Sequence, residues 1–223
     1  MKRPLANKTE SAAEIEKRRA REKKAAEIVA ALKKLYPQAK TILRHANPWE
    51  LYVAVALSAQ TTDKKVNEVT DRLFQKYKTL DDYVKADPEE FDREIKSVNF
   101  HPIKAKSILK AAKMVKEVFG GEVPRTMEAL RSIPFVGRKT ANVIQSQAFG
   151  ISEGIAVDTH VKRLSRRWGL TDETDPDKIE RDLMAILPKE EWPHFNVRVI
   201  NYGRDYCPAR PHRHEACPLS RFG

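Results

Sequence analysis

An Asn or Asp followed directly by Pro occurs three times in the chain, each time where an apolar helical pattern begins. The pairs are Asn47-Pro48, Asp87-Pro88 and Asp175-Pro176. In such a pair the first residue caps a helix and proline takes the first helical position, so each pair predicts a helix start. The run Leu51–Ala59 is apolar on all sides, which is typical of a central helix. Since no convincing alternating strand pair is present, the sequence predicts an all-α fold of roughly ten helices.

The charge of the chain is strongly basic. Its 223 residues include 42 Lys or Arg and 31 Asp or Glu, a formal net charge of +11. Such an excess favours DNA, RNA or an anionic membrane as partner, although it also serves solubility. No apolar run approaches the roughly 18–20 residues that span a bilayer, so we expect no membrane partner and a cytoplasmic, nucleoid-associated protein. The two cysteines, Cys207 and Cys217, provide no disulfide scaffold.

The most informative stretch of the chain reads as two helices joined by a tight hairpin. Thr126 is a helix cap, and the segment Ile133–Gly137 (IPFVG) is too short and turn-rich to be helical. The second helix begins near Arg138, where unpaired N–H groups and the helix dipole attract anions such as phosphate. Gly137 lets the backbone approach a ligand closely, and Arg138 and Lys139 add positive charge. DNA binding is favoured over an ordinary helix connection with a surface lysine.

Three separated segments of the chain resemble the endonuclease III family of helix-hairpin-helix DNA glycosylases, which carry a Gly/Pro-rich loop and an invariant Asp. The segments are Leu57–Asp63 (LSAQTTD), Val136–Val143 (VGRKTANV) and Ile155–His160 (IAVDTH). The likeness runs in order from about residue 27 to Cys217, and the agreement of three segments makes it specific. The resemblance implies a two-lobed fold that binds damaged duplex DNA in a cleft between the lobes.

The resemblance also implies that Lys139 is the nucleophile. In a bifunctional family member a lysine amine attacks C1′ of the damaged nucleotide, the base leaves, and β-elimination from the Schiff base cuts the strand. The positive end of the second hairpin helix and Arg138 would favour the uncharged, reactive amine. Asp158 is implied to face Lys139 and to stabilise the cationic sugar. From the residues alone Asp158 is an ordinary helix cap, and both roles can hold together.

Six further positions are implied as DNA contacts. Gln60 matches the family residue that inserts into the double helix when the damaged base is flipped out, and Phe100 occupies the slot of an apolar wedge. A core aromatic is the alternative for Phe100. The remaining contacts belong to the hairpin and are Val136, Gly137, Arg138 and Thr140.

Two segments depart from the family pattern. Asn99–Pro102 replaces the usual Gly-Leu/Tyr loop, which leaves base selectivity open, and His101 is interpreted as a polar loop residue rather than a catalyst. Phe135 stands where the family hairpin commonly has glycine. If that position requires a positive φ, phenylalanine costs on the order of 1–2 kcal/mol.

The C-terminal segment contains an incomplete set of cluster ligands. Many family members carry four cysteines around a [4Fe-4S] cluster, whereas this chain offers Cys207 and Cys217, with His214 at the second ligand position and Gly223 at the fourth. Because a standard cluster needs four thiolates, we expect no cofactor and no metal. Zinc held by Cys207, His212, His214 and Cys217 is a less favoured alternative, because the spacing is atypical.

The predicted organisation has three parts: a basic mobile tail or solvated helical extension over 1–24, an N/C-terminal helical lobe over 25–47 and 155–223, and a helical barrel over 48–154 that includes the hairpin at 126–149. The predicted function is that of a monomeric bifunctional glycosylase and abasic-site lyase that removes oxidised pyrimidines from duplex DNA. Two alternatives stay open. One is a monofunctional relative, such as a mismatch or adenine glycosylase, and the other is a DNA-binding protein with little or no glycosylase activity.

Overall fold

The computed structural model of the chain describes residues 12–38 and 40–223. Over these ranges the regular secondary structure consists of α-helices and short 3₁₀ helices with no β-strand, which confirms the predicted all-α fold. No helix within the same ranges has the length and apolar character needed to cross a bilayer.

The α-helices are α1 (Ala12–Leu35), α2 (Pro48–Ser58), α3 (Asp63–Lys76), α4 (Leu80–Lys85), α5 (Pro88–Glu94), α6 (His101–Val118), α7 (Met127–Ser132), α8 (Arg138–Phe149), α9 (Thr159–Arg167), α10 (Pro176–Ile186) and α11 (Trp192–Asp205). The 3₁₀ helices are Lys189–Glu191, His214–Ala216 and Ser220–Phe222.

The three Asx-Pro pairs begin helices as predicted. Asn47, Asp87 and Asp175 each accept a hydrogen bond from the backbone N–H three residues further on, at 2.8 to 3.1 Å. Each cap satisfies a donor that the first turn of a helix leaves unpaired, and such a cap typically contributes about 1 kcal/mol. The helix starts therefore depend on interactions within four residues of chain.

The chain divides into two compact units. One comprises the chain up to Gln38 together with Val157–Gly223, and the other is Ala39–Ala156. The sequence places these divisions after residues 47 and 154, whereas the structure places them after 38 and 156.

Helix α2 is the centre of the unit Ala39–Ala156. All of its residues from Leu51 to Leu57 are buried, as the apolar run predicts. Helices α3, α6 and α8 pack around it. Because α2 contacts both α6 and α8, it fixes the loops that precede those two helices with respect to each other. A group of neighbouring aromatic rings extends the core beyond α2, consisting of Trp49, Tyr52, Tyr77, Tyr83 and Phe91.

The other unit is built from α1, α9, α10 and α11, and it contains a buried ion pair. Arg198 of α11 binds the carboxylate of Glu191 at 2.6 Å, with both side chains less than a tenth exposed. Lys33 of α1 binds the same carboxylate at 2.6 Å. Removal of Glu191 would leave the buried charge of Arg198 without its partner, which typically costs about 3–5 kcal/mol. This triad ties α1 to the C-terminal helices.

The predicted tail 1–24 includes the first half of α1. Lys17 and Arg21 each form an ion pair with Asp172, at 2.8 and 2.7 Å, and Arg21 also donates to the carbonyl of Gly169 at 3.2 Å. Residues 12–24 are therefore a helical extension that contacts the segment after α9. Residues 1–11 of the predicted tail lie outside the described residues.

A glycine after an apolar helical stretch commonly ends the helix, but α11 continues past Gly203 to Asp205. Gly203 is buried near the end of α11, and a Cβ at this position would collide with the imidazole of His160 on α9. The glycine therefore allows α9 and α11 to approach closely. Its role depends on a residue far away in sequence, which a local pattern does not reveal.

Candidate active site

The predicted helical hairpin consists of α7, a turn and α8. Thr126 caps α7 as predicted, because its hydroxyl accepts a hydrogen bond from the backbone N–H of Ala129 at 3.3 Å. The turn rests on α2, where the hydroxyl of Tyr52 donates to the carbonyl of Pro134 at 2.9 Å. The central helix of the unit thus holds the hairpin tip through one buried tyrosine.

Two residues at the hairpin tip differ in their exposure. Phe135 has a left-handed backbone, with φ 66°, and is 42% exposed. The position therefore does require a positive φ, and phenylalanine there costs on the order of 1–2 kcal/mol. Val136 is buried, and its N–H donates to the carbonyl of Ile133 at 3.2 Å. This amide is already engaged within the turn, so the DNA contact assigned to Val136 stays a prediction.

The start of α8 combines an open backbone with positive charge. Gly137 is the N-cap, with φ −83° and no side-chain cap, and a Cβ there would have no atom within 4 Å. The φ angle of Gly137 suits any residue, and no neighbouring atom would obstruct a side chain there. The space beside this backbone is therefore open to a ligand. Arg138 and Lys139 are the first two residues of α8, and Lys139 is exposed. Thr140 follows, half-buried, in the same turn. This end of α8 has the charge and the donors that bind a phosphate.

The loop after α2 presents Gln60, which is exposed and has φ 55°. The loop is held by Lys104 of α6, only 1% exposed, whose ammonium donates to the carbonyls of Leu57 at 2.7 Å and Ala59 at 2.6 Å. The same nitrogen lies 3.4 Å from the hydroxyl oxygen of Thr61. Burial lowers the pKa of Lys104 to about 8. The two carbonyls act in the opposite direction and favour the protonated amine, because they lie at the C-terminal end of α2, where the helix dipole is negative.

The loop before α6 presents Phe100 and is joined to the Gln60 loop through Asn99. The side-chain amide of Asn99 donates to the carbonyl of Gln60, and its backbone N–H donates to the hydroxyl of Thr61 at 3.2 Å. Phe100 has φ 60° and is 55% exposed, so the alternative of a core aromatic is wrong. The structure thus brings together the two residues that were predicted to insert into DNA.

Backbone strain coincides with these exposed loops. Within the part of the chain that the structure describes, the non-glycine residues with positive φ are Gln60, Phe100 and Phe135. Each such conformation costs on the order of 1–3 kcal/mol and persists only where surrounding contacts impose it. Strained residues of this kind cluster at ligand-binding sites. Their location marks the two linked loops and the hairpin turn as candidate ligand-binding segments.

Asp158 is the N-cap of α9. Its carboxylate accepts a hydrogen bond from the backbone N–H of Val161 at 2.8 Å, and the side chain is half-buried. The capping role predicted from the residues is confirmed. Asp158 belongs to the unit that begins at Val157, whereas Lys139 belongs to the unit that ends at Ala156. The catalytic role of Asp158 and its relation to Lys139 stay predictions.

Four Cys and His side chains of the C-terminal segment converge on one point. The ligand atoms of Cys207, His212, His214 and Cys217 all lie within 4.8 Å of one another. The expectation that no metal is bound is therefore not confirmed. The family's [4Fe-4S] cluster does not fit these donors, because it takes four thiolates and the chain has two cysteines.

Comparison with known proteins agrees with the resemblance in the sequence. A model of the HhH-GPD superfamily of base excision DNA repair proteins matches residues 53–189. Endonuclease III of Synechocystis sp. is 46% identical over 208 residues, which are 93% of this chain and 95% of that protein. Endonuclease III of Bacillus subtilis is 50% identical over 186 residues, 83% of this chain and 84% of that protein. The chain belongs to the endonuclease III family.

A solved structure of an endonuclease III supports the assignment. It is described as a trapped endonuclease III–DNA covalent intermediate, and it is 43% identical to this chain with a TM-score of 0.84. The match covers 90% of this chain and 94% of that one. This member of the endonuclease III family therefore shares its fold with a relative that has been captured on DNA.

Three residues that shape the site were not recognised from the sequence. Lys104 lies four residues before Ile108 on the buried face of α6, while the adjacent Ile103 is 60% exposed. A lysine at an apolar helical position was the available signal for a buried, hydrogen-bonded cation. Tyr52 and Asn99 gave no comparable signal, because their partners Pro134 and Gln60 are 82 and 39 residues away.

Proposed function

We propose that the chain is a bifunctional DNA glycosylase and abasic-site lyase of base excision repair that removes oxidised pyrimidines from duplex DNA. The observation that carries the proposal is the exposed amine of Lys139 at the start of α8, two residues after Gly137 with its open Cβ position. A helix N-terminus with an accessible backbone can hold a DNA phosphate. An amine beside that phosphate is then close to the deoxyribose of the same strand.

The proposed chemistry uses Lys139 as nucleophile. Its uncharged amine forms a bond to C1′, and the bond from C1′ to the damaged base breaks, so that the base leaves with the electron pair and takes up a proton. The sugar ring opens to a Schiff base, which acidifies the proton on C2′. Loss of that proton expels the 3′ phosphate and cuts the strand. We assign Asp158 to the stabilisation of positive charge on the sugar.

The two linked loops are assigned to base flipping. A base must leave the stack before C1′ can be attacked, and unstacking costs a few kcal/mol. Gln60 and Phe100 are exposed on adjoining loops that Asn99 connects, and one is polar while the other is aromatic. A flat apolar ring can stack in the vacated space, and an amide can pair with the orphaned base. The proposed hairpin contacts to the phosphates are those of Gly137, Arg138 and Thr140.

Borohydride trapping tests the proposal directly. Sodium borohydride reduces a Schiff base to a stable amine, so incubation with a duplex that contains one abasic site should give a covalent protein–DNA complex. Lys139→Gln should abolish the complex and retain DNA binding. Lys113→Gln is the matched control, because Lys113 is an exposed lysine of α6 in the same unit, and this variant should trap like the wild type.

Other outcomes of the same experiment would contradict the proposal. DNA binding without trapping by the wild-type chain would indicate a binding protein without lyase activity. Base release without strand cleavage would indicate a monofunctional glycosylase. A panel of duplexes with oxidised, alkylated or mismatched bases then identifies the substrate, and failure to release any oxidised pyrimidine would refute that part of the proposal.

The proposed reaction takes no step through the C-terminal Cys and His residues. Lys139, Asp158 and the two loops supply the nucleophile, the charge stabilisation and the base flipping by themselves. Since the substrate is chromosomal DNA, we place the protein with the nucleoid in the cytoplasm, acting as a monomer.

A further inference from the structure

The C-terminal segment after α11 folds back on itself around two thiols and two imidazoles. Cys207 and Cys217 are buried, and their sulfur atoms lie within 4.8 Å of each other and of one nitrogen from each of His212 and His214. We propose that these four side chains bind one zinc ion in place of the iron–sulfur cluster of related proteins. The inference is independent of the proposed function, because none of these residues takes part in the proposed reaction.

One pair of donors has the spacing expected of ligands that share a single ion. With zinc bonds of about 2.3 Å to sulfur and about 2.0–2.1 Å to nitrogen, tetrahedral geometry places a sulfur and a nitrogen donor about 3.6 Å apart. The distance between Cys207 Sγ and His214 Nδ1 is 3.7 Å. A [4Fe-4S] cluster has four iron atoms between its ligands, which therefore stand farther apart than ligands that share one ion.

Hydrogen bonds leave one nitrogen of each imidazole available to a metal. His214 Nε2 lies 3.1 Å from the backbone oxygen of Gly223, and His212 Nδ1 lies 2.9 Å from the carbonyl oxygen of Arg210. Neither oxygen can donate, so each of these nitrogens must carry the proton and donate it. The other nitrogens, Nδ1 of His214 and Nε2 of His212, then present lone pairs. Donation of the second ring N–H to a carbonyl is the usual support of a metal-bound histidine.

The two sulfurs differ in their surroundings, and a cation lies beside Cys207. The guanidinium of Arg163 lies 3.7 Å from Cys207 Sγ, and it also donates to the carbonyl of Cys207 at 2.7 Å. Cys217 Sγ donates to the carbonyl of Tyr206 at 3.0 Å, and zinc binding would displace the thiol proton that makes this bond. Binding of Zn²⁺ forms two sulfur–zinc and two nitrogen–zinc bonds and releases two thiol protons. Two thiolates then neutralise the ion.

The ligand set is that of a structural site. Two thiolates and two imidazoles in a tetrahedron suit zinc, whereas magnesium and calcium take oxygen ligands. Four protein ligands fill the coordination sphere and leave no position for water or substrate. The ion would connect the end of α11 at Cys207 with the 3₁₀ turn that precedes Cys217. It would therefore fix the loop between them, which carries Arg210 and Arg213.

Metal analysis of the full chain tests the inference. The protein is produced without a histidine tag, and its metals and acid-labile sulfide are measured by mass spectrometry and colorimetry. We expect about one zinc per chain and no sulfide, because the site is mononuclear. Cys217→Ser and His214→Asn should lose the zinc. His194→Asn is the matched control, since His194 is an exposed histidine of α11 in the same unit, and it should keep the zinc.

A second measurement does not depend on the folding of the variants. Metal is removed from the wild-type chain with a chelator, and cobalt(II) is added in steps. Intense visible bands of tetrahedral cobalt and a near-ultraviolet thiolate band should saturate at one ion per chain, and zinc should then displace the cobalt and protect both thiols from a thiol reagent. Iron with sulfide in the purified protein, a Cys207–Cys217 disulfide, or thiols that stay reactive with zinc present would each overturn the proposal.

Discussion

Replacement of Lys104 by Met is expected to destabilise the chain and to release the loop that presents Gln60. Lys104 donates to the carbonyls of Leu57 and Ala59 at 2.7 and 2.6 Å, in a site where it is 1% exposed. A hydrogen bond from a charged group contributes about 1.5–3 kcal/mol, and a buried acceptor without a donor costs about 1–3 kcal/mol. Methionine removes the cost of burying an ammonium and keeps a similar volume. The expected net loss is therefore about 2–4 kcal/mol.

The effect of this substitution should depend on pH. Burial lowers the pKa of Lys104 to about 8 from its ordinary value of 10.5. Between these pH values the unfolded chain holds more protons at Lys104 than the folded chain does, so raising the pH through this window adds stability. Methionine does not titrate. The difference in unfolding free energy between wild type and Lys104→Met should therefore increase from pH 8 to pH 10 and change little below pH 8.

Two measurements check the argument. Unfolding in guanidinium chloride gives the loss of stability, and hydrogen exchange of the amides over residues 57–62 reports the loop directly. Lys106→Met is the matched control, because Lys106 is an exposed lysine two positions further along α6, and it should behave like the wild type. A Lys104→Met variant that unfolds at the wild-type denaturant concentration, with unchanged exchange over residues 57–62, would refute the role of Lys104 as the anchor of this loop.

Three further predictions concern the hairpin and Asp158. Phe135→Gly should be more stable than Phe135→Ala by about 1 kcal/mol, because only glycine relaxes at positive φ; equal thermal unfolding of the two variants would contradict strain at this position. Asp158→Asn should keep the cap of α9 and lose strand cleavage, whereas Asp158→Ala should also lose about 1 kcal/mol of stability; wild-type cleavage by Asp158→Asn would remove the carboxylate from the mechanism. Arg138→Gln should make the slope of the logarithm of the DNA-binding constant against the logarithm of salt concentration less negative by about 0.9, the value for one phosphate contact. An unchanged slope would place Arg138 outside the interface.

The helices of this chain were predictable because their starts are specified locally. The caps at Asn47, Asp87 and Asp175 each satisfy an N–H three residues away, so sequence order alone places the donor near the acceptor. The hairpin before α8 was predictable for the same reason, since turn residues and a helix start are adjacent in sequence. The family resemblance then assigned roles to Lys139 and Asp158 that no local pattern provides.

Features that depend on distant residues were missed or misread. Gly203 suggests a helix end by residue type, but it packs against His160, which is 43 positions away in sequence. Lys104 was not recognised, because its acceptors lie at the end of another helix. The C-terminal donors looked too irregularly spaced for a metal, and only the folded-back segment shows that they converge. In each case the deciding partner is brought close by tertiary structure.

The left-handed backbones at Gln60, Phe100 and Phe135 restrict how this protein can be engineered for heat tolerance. Glycine at these positions would relax the chain and raise its melting temperature, yet at Gln60 and Phe100 it would also delete side chains proposed to meet DNA. Stabilising changes that spare activity have to be sought elsewhere. The exposed apolar residues Ile42 and Val118, outside all three loops, are better starting points for such a redesign.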